Sequence, residues 1–394
     1  MFTLVSVQGL TLFLLPVMFR TFGRTFGLSL GQEGQIQSFF YLGAMIALFS
    51  AGWITERLGV KRSSLVVFAL IGAGSLTLAL SQTYAIAKVG ATVIGIGNQW
   101  VLAISSAIIA ARFGHIRQKM YMWVMAVMSA TASVGPVTLG YLLTRVDNWR
   151  MIFFSLAAAL GLAGLALRRI SGAELDAITT GEGSSALSGR QLLSSPILWL
   201  IGFLVILDNL ASGNLLAWTP RLFQLRHGAD ETRAGLLLTA NTVGMLVGRI
   251  LMGAFVSSKV SERILLGGCY AAGMVAYAVL LWVPSYPVGI AMMALQGAFL
   301  SAQAPTTYSL ATHKFPARAA VAVPLVDAIG SIGGFSGPAL LGWSAEHVGD
   351  LGTVMWIIPC MGLCLAAISL GWEYYDRWAG KRNSAPPAAS AIGT

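Results

Sequence analysis

The sequence predicts an all-α integral membrane protein of twelve transmembrane helices, built as two six-helix bundles related by a pseudo-two-fold axis along the membrane normal. Three observations predict it. Only 10% of the 394 residues are charged and 56% are hydrophobic, whereas a soluble chain carries roughly 25% charged residues to cover its surface. Apolar runs long enough to cross the roughly 30 Å hydrocarbon layer recur twelve times along the chain. The second six of these runs repeat features of the first at an offset of 201 or 202 residues.

Bounded by charge, Pro or Gly, the runs are 2–22, 33–55, 63–82, 86–111, 120–145, 150–168, 196–222, 233–256, 263–284, 286–311, 320–345 and 352–373. The first is expected to be a span rather than a cleaved signal, because Phe2–Phe19 lacks both a basic leader and a small-residue cleavage site. Between the second and third runs, "GWITERLGVKRSS" gathers Glu56, Arg57, Lys61 and Arg62 into a short polar turn. Residues 169–195 read as a polar, Gly/Ser-rich linker and 374–394 as a tail of disordered composition. The expected domains are therefore a bundle over 1–168, the linker, a bundle over 196–373 and the tail.

Lys and Arg in the short loops set the orientation. One face holds Arg57, Lys61, Arg62, Arg112, Arg117, Lys119, Arg168, Arg169, Arg190, Lys259, Arg263, Lys314, Arg318, Arg377, Lys381 and Arg382. The other holds Arg24, Arg145, Arg150, Arg226 and Arg233. The basic face is expected to be cytoplasmic, with both termini there and the protein in a cell inner membrane. The net charge of +10 is thus topogenic; its residues form no continuous face for nucleic acid. Cys269, Cys360 and Cys364 lie inside apolar runs and read as small core residues. No metal-ligand spacing accompanies the four histidines, and no Gly-Lys-Ser/Thr loop for ATP is present. Neither an enzyme nor a cofactor is expected, and the chain reads as a monomer.

The repeat is carried by small residues. "LGAMIALFSAGWIT" overlies "VGMLVGRILMGAFVS", with Gly43 on Gly244 and Gly52 on Gly253; "SVGPVTLGYLL" overlies "FSGPALLGWSA", with Gly135-Pro136 on Gly337-Pro338 and Gly140 on Gly342. Glycines let helix backbones approach closely in lipid, and a proline inside a helix removes a hydrogen bond and permits bending. Parallel repeats of six helices place a substrate at the interface between halves, with access alternating as one half rocks on the other. The Gly-Pro pairs at 135–136 and 337–338 are accordingly read as gating elements.

"GWITERLGVKR", with Gly52, Glu56, Arg57, Gly59 and Arg62, resembles the loop 2–3 signature of the major facilitator superfamily, Glu56 standing where the acid is usually Asp. "GPVTLG" resembles its helix 5 bending motif. The resemblance covers all twelve helices and implies that the loop 2–3 element latches helix 2 to helix 11 when the cytoplasmic side is closed. "QEGQIQSFFYLG" and "GAFLSAQAPTTYSL" resemble the fucose–proton symporter branch, which would imply a sugar or polyol carried with a proton. The places of that branch's helix 1 Asp and helix 4 Glu are here Leu12 and the Gln99–Trp100 region, and neither is acidic.

Ionisable side chains inside spans are functional candidates by default. Asp208 lies near the middle of the seventh run, as a candidate proton carrier. Arg249 and Asp327 lie at equal depth, roughly 10 Å from the basic face at 1.5 Å per residue, and could pair or face a cavity separately. A guanidinium in a dry cavity is a preferred partner for a carboxylate, and facilitators of organic anions use a helix 8 arginine in this way. Asn98, Gln99, Trp100, Asn214, Trp218, Asn241, Gln296, Gln303 and Thr306 form an uncharged polar set, which the resemblance makes cavity-lining in helices 4, 7 and 10. Arg20 and Arg221 overlie one another at the opposite face, either as an outer gate or as residues snorkelling to the interface. The tandem "RTFGRTFG" (Arg20–Gly27) reads as a duplication lengthening the loop there. The leading expectation is a secondary transporter of a small sugar-like solute, with a proton as candidate coupling ion and Asp208 and Asp327 as the candidate coupling residues. The alternatives are an organic-anion carrier using Arg249, a drug exporter and a sensor that does not transport.

Overall fold

The computed structural model describes residues 1–113, 117–146, 148–169, 192–255, 260–283, 285–315 and 319–383. Twelve helices among them are long and apolar enough to cross a membrane: α1 Phe2–Phe26, α2 Leu30–Thr55, α3 Arg57–Ala79, α4 Tyr84–Ile109, α5 Trp123–Arg145, α6 Arg150–Arg169, α7 Pro196–His227, α8 Glu231–Met252, α9 Glu262–Trp282, α10 Tyr286–Lys314, α11 Val321–Val348 and α12 Leu351–Trp378. They are the twelve expected spans with ends shifted by a few residues. Exposed aromatic side chains cluster at both ends of the helices, as the amphipathic ring of Trp or Tyr favours the lipid headgroup level. Trp53, Trp123, Tyr375 and Trp378 stand towards the basic face, Trp282 and Trp343 towards the opposite one.

Several elements differ from expectation for local reasons. Glu56–Arg62 is helical on either side of Gly59, whose φ of 81° and ψ of 161° belong to a region that only glycine enters at low cost. The tandem Arg20–Gly27 does not lengthen a loop: α1 stays helical to Phe26 and stops where Gly27 turns left-handed (φ 64°). Residues 374–383, expected in the tail, continue the last helix to Asn383. Arg377 and Glu373 pair there at 2.7 Å, and Arg263 of α9 reaches Asp376 at 2.7 Å. Cys269 is buried as expected, but Cys360 and Cys364 are exposed, because α12 turns its Ile358–Leu365–Ala366 side to the core. The linker up to residue 191 lies outside the described residues.

Prolines break two of the spans, and a π-helical turn interrupts a third. Pro16 lacks the N–H that would bond the Leu12 carbonyl, and α1 departs from helical geometry next door at Phe13 (φ −111°, ψ 18°). Pro305 does the same to the Ser301 carbonyl, and α10 loosens at Ser301–Ala302. In α7 a π-helical turn, Asn209–Gly213, follows Asp208 and precedes Pro220. Such turns widen the backbone and recur at functional sites.

The two bundles meet along a seam whose symmetry is visible atom by atom. A Cβ on Gly34 of α2 would come within 3.0 Å of the Pro338 carbonyl of α11; one on Gly235 of α8 would do the same to Pro136 of α5. Gly342 is pressed against the Leu30 carbonyl and Gly140 against that of Glu231. These contacts are equivalent under the 201–202 residue offset read in the sequence. Within each half the pattern repeats, Gly43 on Thr92 and Gly95 on Phe40 answering Gly244 on Ala294 and Gly297 on Asn241. The repeat is therefore written in backbone–backbone approach, for which only glycine leaves room.

Candidate functional site

Cross-bundle contacts run from the opposite face inward. Arg221 of α7 grips Glu33 of α2 with both Nε and Nη2 at 2.8 Å, and Glu33 is only 1% exposed. Its near-counterpart is Arg20 of α1, which donates to the Ala229 carbonyl at 3.2 Å and lies 3.7 Å from Glu231 of α8. Each arginine thus leaves the first helix of its own half for the start of the second helix of the other. The Gly31 N–H donates to Glu346 at 2.5 Å. Deeper, the Ala339 N–H reaches Ser38 at 3.3 Å and the Thr239 hydroxyl the Ser133 carbonyl at 2.7 Å; Ser38 and Thr239 are equivalent positions in the two halves, while their partners are offset by about one helical turn. Together these contacts close the opposite face.

Asp208 sits at the core of the second bundle, 6% exposed, where the π-turn begins. Its carboxylate accepts from the Tyr270 hydroxyl of α9, from Ser212 at 2.9 Å and from the Gln303 amide of α10 at 2.6 Å. Among the described residues no cation pairs with it. Asp327 of α11 accepts from Tyr308 of α10 at 2.5 Å. Tyr308 in turn lies within electrostatic range of Asp208 and Arg249. Two buried carboxylates are thus held by neutral donors, an arrangement that can take up and release a proton without breaking an ion pair.

Arg249 makes a further cross-bundle contact towards the basic face. Its Nη1 donates to the Met125 carbonyl of α5 at 2.7 Å and to the Ser129 hydroxyl. It does not pair with Asp327, and among the described residues no carboxylate pairs with the guanidinium and no acceptor meets its buried Nε. A charged donor in that position is costly until something accepts from it.

The uncharged set is spread through both bundles. Asn98 donates to Thr11 at 2.8 Å and to the Gln8 carbonyl at 3.1 Å, and Gln99 accepts from Gln8 at 3.3 Å. The Trp100 indole donates to Thr55 at 2.9 Å. Asn241 bonds Gln296, and Asn214 and Thr306 bond carbonyls of their own helices. Trp218 is fully buried in the seam, donating to the Pro338 carbonyl at 3.2 Å with Phe19 edge-on at 5.2 Å. Gln303 alone of the set reaches Asp208. Of the gating residues, Pro136 and Pro338 lie on the seam, Gly135 packs against the Leu10 carbonyl and Gly337 against Asn214. Gly52 has open space about it, Arg57 at the start of α3 stacks on Trp53 at the end of α2 at 3.7 Å, and Arg62 is exposed. The Glu56 side chain lies outside the described residues. Sequence reasoning missed Glu33, Tyr270 and Tyr308. Glu33 carried a usable signal, as an acid at the mouth of a span facing the mirrored pair Arg20 and Arg221.

Comparison with known proteins follows the same line. A family model described as Major Facilitator Superfamily matches residues 1–230 and 209–390. The cyanate transport protein CynX of Escherichia coli (strain K12) is 25% identical over 257 residues, 64% of this chain and 65% of that protein. The 3-(3-hydroxy-phenyl)propionate transporter of Escherichia coli (strain K12) is 26% identical over 213 residues, 52% of this chain and 49% of that one. An uncharacterized MFS-type transporter of Yersinia pestis is 26% identical over 171 residues, 43% of each chain. The matches span about half the length of these relatives. The crystal structure of a D-xylose-proton symporter superposes with a TM-score of 0.76 at 18% identity, over 93% of this chain and 96% of that one, and so shares the fold.

Proposed function

Because the chain belongs to the major facilitator superfamily, we propose that it is a secondary transporter that alternates access between its two bundles and carries a small organic anion recognised by Arg249. The observation that carries the cargo class is the Arg249 guanidinium. It bridges α8 to α5 with one nitrogen, and among the described residues its buried Nε has no acceptor and no carboxylate pairs with it. A fork of this kind suits a carboxylate, which can accept two parallel N–H bonds. The amides and indoles that would serve a sugar are instead mostly bonded to their own bundle. Two of the similar transporters are named for cyanate and for a phenylpropionate, both anions.

Asp208 is the coupling residue in this reading. Protonation would weaken its hold on Tyr270 and Gln303, loosening α9 and α10 from α7 beside the π-turn. A cargo anion moving with a proton crosses without net charge, which makes symport the economical form of coupling. In this reading the basic face is cytoplasmic and the ion-paired face lies outside, which the distribution of loop charges supports.

The test is thermal stabilisation of the purified protein by cyanate, 3-phenylpropionate and D-xylose, in wild type and Arg249→Gln. A ligand binding only the folded state contributes about 2.7 kcal/mol at a hundredfold excess over Kd. The reading expects stabilisation by an anion that Arg249→Gln abolishes. Stabilisation by xylose alone, insensitive to Arg249, would overturn it and return the cargo to the sugar class.

A further inference from the structure

Beside the Arg221–Glu33 pair lies a cavity of about 400 Å³, lined by Arg20, Gly23, Arg24, Leu28, Glu33, Arg221, Gln224 and Leu225. Three guanidinium groups face a single carboxylate there. The second observation is independent of charge. Gln224 is 7% exposed, lines the cavity and carries an amide nitrogen with no hydrogen-bond partner. A buried N–H without an acceptor costs about 1–3 kcal/mol, and what it lacks is an oxygen. The cavity supplies positive charge, and Gln224 in its lining holds an unspent buried donor.

We propose that this cavity is a binding site for a small carboxylate, separate from the Arg249 site, in which the ligand takes the Gln224 N–H and competes with Glu33 for Arg221. The proposal rests on the preceding reading only for the identity of its ligand with the cargo. A carboxylate on Arg221 replaces Glu33 as the bidentate acceptor, so occupancy frees α2 from α7 at the face where the two bundles are joined. Arg24, exposed and without a role in the ion pairs described, adds attraction at the rim. The site would thus receive the anion and loosen the closure that bars its way inward.

The experiment is protection of a single cysteine. Leu28→Cys is made with Cys269, Cys360 and Cys364 replaced by Ala, and its reaction with a membrane-impermeant maleimide is followed. Sodium 3-phenylpropionate should slow labelling, while the neutral 3-phenylpropanol should not. Gln224→Leu and Arg24→Gln should each raise the half-protecting concentration about tenfold, the equivalent of one charge-assisted hydrogen bond. Arg24 is exposed, so its variant keeps the fold if the Gln224 variant does not. Arg249→Gln should leave the protection curve unchanged. Equal protection by the alcohol, or a curve indifferent to both Gln224→Leu and Arg24→Gln, overturns the proposal. So does loss of protection in Arg249→Gln, since the label would then be reporting the inner site. Transport that ignores Arg249 while protection persists would defeat the anion-cargo reading and leave this site standing.

Discussion

Glu33→Gln should release the closed face, and its size can be worked from the structure. Glu33 is buried and accepts two 2.8 Å bonds from Arg221, whose side chain is itself mostly covered. Removing one member of a buried pair costs about 3–5 kcal/mol because the other charge is left uncompensated. Arg221 borders a cavity, where water can partly compensate it, so the lower end, about 3 kcal/mol, applies. When the bundles separate at this face the contact is already broken, so the whole loss falls on the closed form. The ratio of closed to open should fall roughly a hundredfold; a closed state favoured a hundred to one would drop to parity. Thr144 and Thr232, whose hydroxyls are 3.5 Å apart across the two halves, supply the readout. Cysteines placed there should form a disulfide quickly in the otherwise wild-type chain and far more slowly with Glu33→Gln. Equal cross-linking rates, in protein that still melts cooperatively, would show that the ion pair does not hold the face shut.

Other expectations follow from single features. Gly34→Val and Gly235→Val each force a side chain into a facing carbonyl and should cut transport at least tenfold by preventing closure, whereas Gly52→Ala, with open space around it, should be silent in the same uptake assay. Asp208→Asn keeps the shape of the side chain but cannot shuttle a proton. Counterflow should survive in proteoliposomes while accumulation driven by a proton gradient is lost, and a variant that still accumulates would refute the coupling role. Asp350 caps the start of α12, and the Thr353 hydroxyl, then the Thr353 and Gly352 N–H groups and Arg226, hold its carboxyl below the usual range. A depressed folded value gives stability that is present above the ordinary carboxylate pKa and vanishes as pH falls through the lowered one. Asp350→Ala should therefore cost about 1 kcal/mol near pH 7, and the melting temperatures of variant and wild type should converge in acid. Trp218→Phe removes one buried bond to the Pro338 carbonyl and should lower stability by about 1 kcal/mol, measured by thermal melting.

The spans and the repeat were legible because both are periodic properties of the chain: apolar length against bilayer thickness, and glycines at a fixed offset. The same offset foretold the seam, since Gly140 and Gly342 occupy matched places on α5 and α11, which pack on α8 and α2 of the opposite half. The polar residues were harder. Asn98, Trp100 and Trp218 have the chemistry of a sugar site, yet in this structure their donors serve Thr11, Thr55 and Pro338. Whether a buried donor faces a ligand or its own fold is decided by three-dimensional neighbours that residue type does not encode. The Arg221–Glu33 pair joins positions 188 apart, and at the sequence level an arginine near a helix end is equally well served by reaching for lipid headgroups. Arg249 and Asp327 illustrate the converse. Equal depth and opposite charge made them natural partners, but each found a nearer neighbour on a facing helix, Ser129 and Tyr308.

The seam between the bundles is made where glycine Cα atoms rest on peptide carbonyls, at Gly34 on Pro338 and at Gly235 on Pro136. Nothing in such a joint reads the side chains on either flank. The pivot and the payload are consequently separate inheritances. Residues such as Gln303, whose bond to Asp208 stays within its own bundle, can be exchanged for others without touching that joint. A descendant of this chain could change what it recognises by altering a handful of positions and keep that backbone joint unaltered.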